Sequence, residues 1–143
     1  MSTCDTVESQ PSAVRQESVI ELPLGLLGFE TIKKYLLISA PEDAPFHWLQ
    51  VLDDPGLAFL VLSPFEVMPD YGMNLSDEDV AFLKVSSPAD VLVFNIVTLH
   101  PGGRATINLK GPIVLNRVTL VGKQVVLVNA AQYSLQHPLP TAE

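Results

Sequence analysis

Cysteine is nearly absent: Cys4 is the only one in 143 residues. With no second thiol there is no intrachain disulfide, and no cysteine cluster to hold a metal. Basic residues are also scarce, because eight Lys and Arg face sixteen Asp and Glu, for a net charge of -8. Nucleic acid and anionic membranes are held mainly by Lys and Arg, so this balance disfavours both as direct partners. No apolar run approaches the roughly twenty residues of a membrane span. The opening MSTCDTVESQPSAVRQES is polar and mildly acidic, where a secretory signal needs a basic start and then an apolar run. The expectation is a soluble, cytoplasmic protein.

Signatures of chemistry are missing as well. The nearest approach to a phosphate-binding loop is Gly122-Lys123-Gln124, which lacks the first glycine and the hydroxyl. His47, His100 and His137 are scattered, and none stands at zinc-ligand spacing from another ligand. There is no Gly-x-Ser-x-Gly elbow, and Cys4 lies in a polar stretch with nothing to hold its thiolate against a base. The densest carboxylates are Glu66, Asp70 and Asp77 to Asp79. They supply an acid and a base on paper, but clustered acids without a positioned partner are the mark of a solvated face. The expectation is a protein that is not an enzyme, with no cofactor and no metal.

What the chain does have is 48% hydrophobic residues, enough for one core and too few residues for a second domain. Residues 1 to 16 read as a flexible N-terminal tail and 17 to 140 as a single β-domain. Short apolar blocks recur at Ser18 to Leu22, Tyr35 to Ser39, Trp48 to Leu52, Leu57 to Leu62, Val91 to Leu99, Ala105 to Leu109, Ile113 to Asn116 and Gln124 to Asn129. Turn signals separate them: Asp53-Asp54-Pro55-Gly56, Pro101-Gly102-Gly103, Gly111-Pro112, and Gly122 splitting the last hairpin. Many short, closely punctuated strands predict a mostly β fold, a small closed or partly open antiparallel β-barrel. Val91 to Leu99 is apolar on both faces and is placed centrally, which obliges Asn95 to find hydrogen bonds inside. One short helix is expected, capped by Ser76 with Asp77, Glu78 and Asp79 in its first turn, docking through Val80 and Leu83 and ending before Pro88. Trp48 is expected in the core, because Leu49 and Val51 beside it fit a strand, and His47 outside.

Two features suggest recognition of proteins. Residues 51 to 90 hold eight acids against Lys84 alone, whereas after Pro101 the cations Arg104, Lys110, Arg117 and Lys123 face only Glu143. If these halves lie on different surfaces, the molecule is polar in charge and steers a basic segment towards the acidic side. The connection Ser63 to Gly72 mixes prolines, carboxylates and large apolar groups, and presents either a patch or a plug for the barrel end. The candidate partner contacts are Asp53 and Asp54 in the turn, and Phe65, Met68, Pro69, Asp70 and Tyr71 in the connection.

Taken together, GLLGFE (25 to 30), APEDAPFHWLQVLDDPGLAFLVLSPF (40 to 65), PDYGMNLSDED (69 to 79), VLVFNIVT (91 to 98), NLKGPIVLN (108 to 116), GKQVVL (122 to 127) and YSLQHPL (133 to 139) resemble the flagellar assembly factor FliW family. Leu27 departs from a common proline, Ser63 from a usual asparagine, and Gly72 from a usual acid. The resemblance implies a barrel-like domain that binds flagellin in the cytoplasm and, when free of it, the translational regulator CsrA. Flagellin synthesis would thereby be coupled to its secretion, with RNA reached only through another protein. A different class of reading is a small β-barrel holding a small apolar ligand.

Overall fold

A computed structural model describes residues 16 to 139. Nine strands run through the described residues: β1 (Gln16–Glu21), β2 (Lys34–Ser39), β3 (Phe46–Val51), β4 (Asp54–Leu62), β5 (Val91–Leu99), β6 (Ala105–Ile107), β7 (Ile113–Asn116), β8 (Gly122–Gln124) and β9 (His137–Pro138). All the strand pairings are antiparallel, in the order β1-β2-β3-β4-β5-β6-β9, with β7 pairing β5 and β8 pairing β7. Gln16, expected at the end of the tail, is instead the first residue of β1; the rest of that tail lies outside the described residues.

β5 is central as expected, because it pairs with three strands. Val91 to Phe94 pair with β7, Asn95 to Val97 with β4, and Val97 to Leu99 with β6. The sheet curls so that Glu21 N–H donates to Leu120 C=O at 3.0 Å and Glu21 forms an isolated parallel bridge with Val121. The result is a barrel-like, partly open β fold whose seam is narrow.

Two hydrophobic layers follow from strand periodicity. Ile20, Leu22, Tyr35, Leu37, Leu49, Val51, Val61, Ile113 and Leu115 fill the barrel interior. Leu62, Val97, Ile107, Val114, Val125 and Leu127 face the other way and are covered by Tyr71 and Leu83. Because side chains alternate along a strand, Val114 faces the second layer while its neighbours Ile113 and Leu115 face the first. The interior of the barrel is thus packed with side chains. Asn95 is fully buried on the second side, where its Nδ2 donates to Asn108 C=O at 2.7 Å.

Helix α1 (Asp77–Leu83) forms where expected, with Ser76 Oγ accepting from Asp79 N–H at 3.1 Å and Lys84 closing it in a left-handed conformation. Leu83 is its buried apolar anchor, whereas Val80 stays 36% exposed, so the docking face differs from the expected one. No helix among the described residues is long and apolar enough to cross a membrane.

Three further expectations are corrected. Trp48 is only half-buried: in β3 the side chains alternate, so the burial of Leu49 and Val51 sends Trp48 to the opposite face. For the same reason His47 turns inward, its ring edge-on to Phe94 at 5.1 Å and its Nδ1 2.6 Å from Ser39 Oγ. The strand expected over Gln124 to Asn129 ends at Gln124; Gly122 lies in β8, not at the hairpin turn.

Candidate protein-interaction surface

The seven candidate contact residues do not form one surface. The β3-β4 turn is Leu52-Asp53, and Asp54 already pairs with Val51 at a register shift, so Asp53 and Asp54 stand exposed at the start of β4. The other five follow its end at Leu62. Eight steps of about 3.3 Å place the two groups roughly 26 Å apart along the strand.

At the second end, Ser63 Oγ accepts from Phe65 N–H at 3.4 Å and starts a single tight turn, Pro64–Glu66. Phe65 is 43% exposed, and Pro69 and Asp70 are exposed. Met68 is half-buried against the second layer. Tyr71 is a correction, since it is 4% exposed and its hydroxyl donates to Leu109 C=O at 2.6 Å. Burial pushes its hydroxyl up to about 12, against the opposing effect of the Asn95 side chain. The connection is a patch laid on the second layer: Tyr71 is buried in that layer, and Phe65 packs edge-on against Tyr71 at 5.9 Å.

The C-terminal segment holds this connection in place through residues the sequence did not single out. Asn129 Nδ2 donates to Gly72 C=O at 2.9 Å, and its Oδ1 accepts from Asn74 N–H at 3.1 Å. Tyr133 Oη accepts from Gly72 N–H and lies 2.9 Å from Gly72 O, while its ring tilts over Tyr71 at 4.7 Å. These bonds use the Gly72 backbone, so the departure from an acid at that position leaves them intact.

Charge is less divided than the sequence suggested. Lys123 Nζ meets Asp79 Oδ1 at 2.6 Å and lies 5.4 Å from the Phe82 ring centroid. Arg117 Nε and Nη2 donate to Ala89 and Val91 C=O at 3.1 and 3.2 Å. The basic half thus folds onto the acidic half. Asp79 drops out of the carboxylate set as an ion-paired group, and Glu66 and Asp70 stand exposed outside any such pair among the described residues. Asp90 is likewise engaged: the N–H groups of Ser86 and Ser87 hold its carboxyl below its ordinary value. Among the described residues no three His, Cys, Asp or Glu converge as metal ligands.

Between α1, the 63 to 65 turn and the first half of β5 runs an open groove of about 870 Å³. Val80, Val91, Val93 and Phe65 line it with Val128 and Arg117. Val80 and Val128 are 36% and 68% exposed, so its rim is apolar and open.

The order of motifs along the chain and this fold have counterparts among known proteins. The family model described as FliW protein matches residues 3 to 139. The chain belongs to the FliW family. It is 39% identical over 127 residues to the flagellar assembly factor FliW of Treponema denticola, covering 88% of this chain and 85% of that one. It is 41% identical over 115 residues to the FliW of Treponema pallidum, covering 80% and 76%. A crystal structure of the flagellar assembly factor FliW superposes with a TM-score of 0.72 at 30% identity, over 85% of this chain and 83% of that one. A FliW protein works in flagellar assembly, where its partners are other proteins.

Proposed function

We propose that this FliW-family chain is a cytoplasmic, non-enzymatic regulator that binds flagellin and, when free of it, binds CsrA and keeps it from RNA. Membership of the family over nearly the whole chain carries the reading. Composition supports it: a protein of net charge -8 competes with anionic RNA for a basic partner without touching RNA itself. Exposed Asp53 and Asp54 at one end, and Phe65, Pro69 and Asp70 at the other, offer two separate contact regions, one suited to steering and one with an apolar anchor.

The test is a titration of the purified protein into a preformed complex of CsrA with flagellin-leader RNA, followed by addition of flagellin. Release of RNA, reversed by flagellin, is the expected outcome. A folded protein that releases no RNA would remove CsrA from the scheme, and absence of saturable one-to-one flagellin binding would remove flagellin.

A further inference from the structure

We infer that Asn129 and Tyr133 are positioning residues: from the C-terminal segment they fix the backbone of Gly72 to Asn74 and, through the ring of Tyr71, hold Phe65 in the place where a partner meets it. This rests on the reading above that Phe65 is a contact residue.

The stretch they hold has little else to order it. Gly72 to Leu75 belongs to no strand or helix, and among the described residues its one backbone–backbone hydrogen bond runs from Val128 N–H to Asn74 C=O. Surface backbone with so few bonds opens readily unless side chains hold it. Asn129 supplies two of the missing bonds, its Nδ2 donating to Gly72 C=O at 2.9 Å and its Oδ1 accepting from Asn74 N–H at 3.1 Å. A carboxamide carries the donor and the acceptor of a peptide group, and only this orientation sets each against its complement. Asn129 thus does for this stretch what a neighbouring strand does elsewhere in the sheet. Tyr133 Oη grips the same glycine twice, accepting from Gly72 N–H and donating to Gly72 C=O, both at 2.9 Å.

From the clasp a line of rings leads outward. The Tyr133 and Tyr71 centroids are 4.7 Å apart, and Tyr71 meets Phe65 edge-on at 5.9 Å. Tyr71 is held at both ends: Leu109 C=O takes its hydroxyl, and Tyr133 takes the N–H of the peptide bond that follows it. Phe65, 43% exposed, therefore rests on a ring that is fixed before any partner arrives. Ordering a contact side chain in advance lowers the cost of binding.

The experiment uses the full chain with Asn129→Asp and Tyr133→Phe, separately and together. The first change keeps an acceptor for Asn74 and turns a carboxylate oxygen on the Gly72 carbonyl; the second keeps the ring and loses both hydroxyl bonds. Hydrogen exchange by NMR is expected to show the Gly72 and Asn74 amides losing about tenfold or more in protection in the double variant, with the β5 amides unchanged. Calorimetric titration with flagellin and with CsrA then forms a cycle with Phe65→Ala. For the partner that Phe65→Ala weakens, the double variant is expected to bind about three- to tenfold more weakly, and Phe65→Ala should add little to that loss. A merely structural role would make the two losses multiply. Retained protection at Gly72 and Asn74, unchanged affinity, or fully multiplying losses each overturn the positioning role. If Phe65→Ala weakens neither partner, the contact reading fails and the inference falls with it.

Discussion

Lys123 Nζ lies 2.6 Å from Asp79 Oδ1, and this contact joins β8 to α1 across 44 residues of sequence. Asp79 is 6% exposed, so its charge is held away from water and depends on the lysine. Lys123→Met is expected to destabilise the fold by roughly 2 kcal/mol, less than a fully buried pair because Lys123 remains partly solvated. Asp79→Asn/Lys123→Met should recover part of that loss. Urea denaturation of the two single variants and the double variant measures the coupling; a coupling near zero would mean that the pair is ornamental.

Tyr71→Phe removes a buried donor and leaves Leu109 C=O unpaired, at an expected cost of about 1 to 3 kcal/mol. The pH dependence has a definite sign. Since the folded hydroxyl titrates at about 12 and the free side chain at 10.0, its contribution is full below pH 10 and is lost as pH rises from 10 towards 12. Wild type should therefore lose stability over that window more steeply than Tyr71→Phe, as read from denaturation midpoints.

His47 has the opposite sense. Burial beside Phe94 holds its imidazole below the ordinary 6.5, so the folded state favours the neutral ring. Stability is fully present above 6.5 and falls as pH drops through the folded value. His47→Gln should flatten the stability profile below pH 6.5; an unchanged slope would mean that the ring protonates freely in the fold.

Gly122 allows β8 to lie close against β7. A Cβ there would sit 2.1 Å from Val114 O and 2.8 Å from Leu115 Cα, both backbone atoms that cannot step aside. Gly122→Ala is expected to cost about 3 kcal/mol or more, or to prevent folding, and thermal melting gives the answer.

Asp53→Lys/Asp54→Lys and Asp70→Lys act at opposite ends of β4. Their effects on binding any one partner are expected to add within about 0.5 kcal/mol, because the sites share no contacts. Strong non-additivity in surface plasmon resonance would show that one partner spans both ends.

Much of this was legible in the sequence where hydrogen-bonding and periodicity agreed. The apolar character of Val91 to Leu99 on both faces announced a strand between layers, and Ser76 with three acids announced the helix start. The errors have local causes. Trp48 and His47 are exchanged because the strand that Leu49 and Val51 indicate buries their own face, which His47 shares, and turns Trp48 to the other. The alternation of Val125 to Val128 is real, with 0% and 3% exposure at Val125 and Leu127 against 70% and 68% at Val126 and Val128. Yet β8 does not continue beyond Gln124: Val128 N–H goes to Asn74 C=O and not to a neighbouring strand. Of the candidate contacts, exposure could not be read from composition: Phe65 and Tyr71 have similar rings, but only Tyr71 finds an acceptor at Leu109.

β7 has no face towards solvent, since all four of its residues are buried and successive side chains enter different layers. Neither layer can melt while the other keeps its wall. Barrel, helix and C-terminal cover are therefore expected to unfold in a single thermal transition, with equal calorimetric and van 't Hoff enthalpies. For the cell this means that no half-folded form persists with its binding surfaces intact, and the number of competent molecules is simply the number folded.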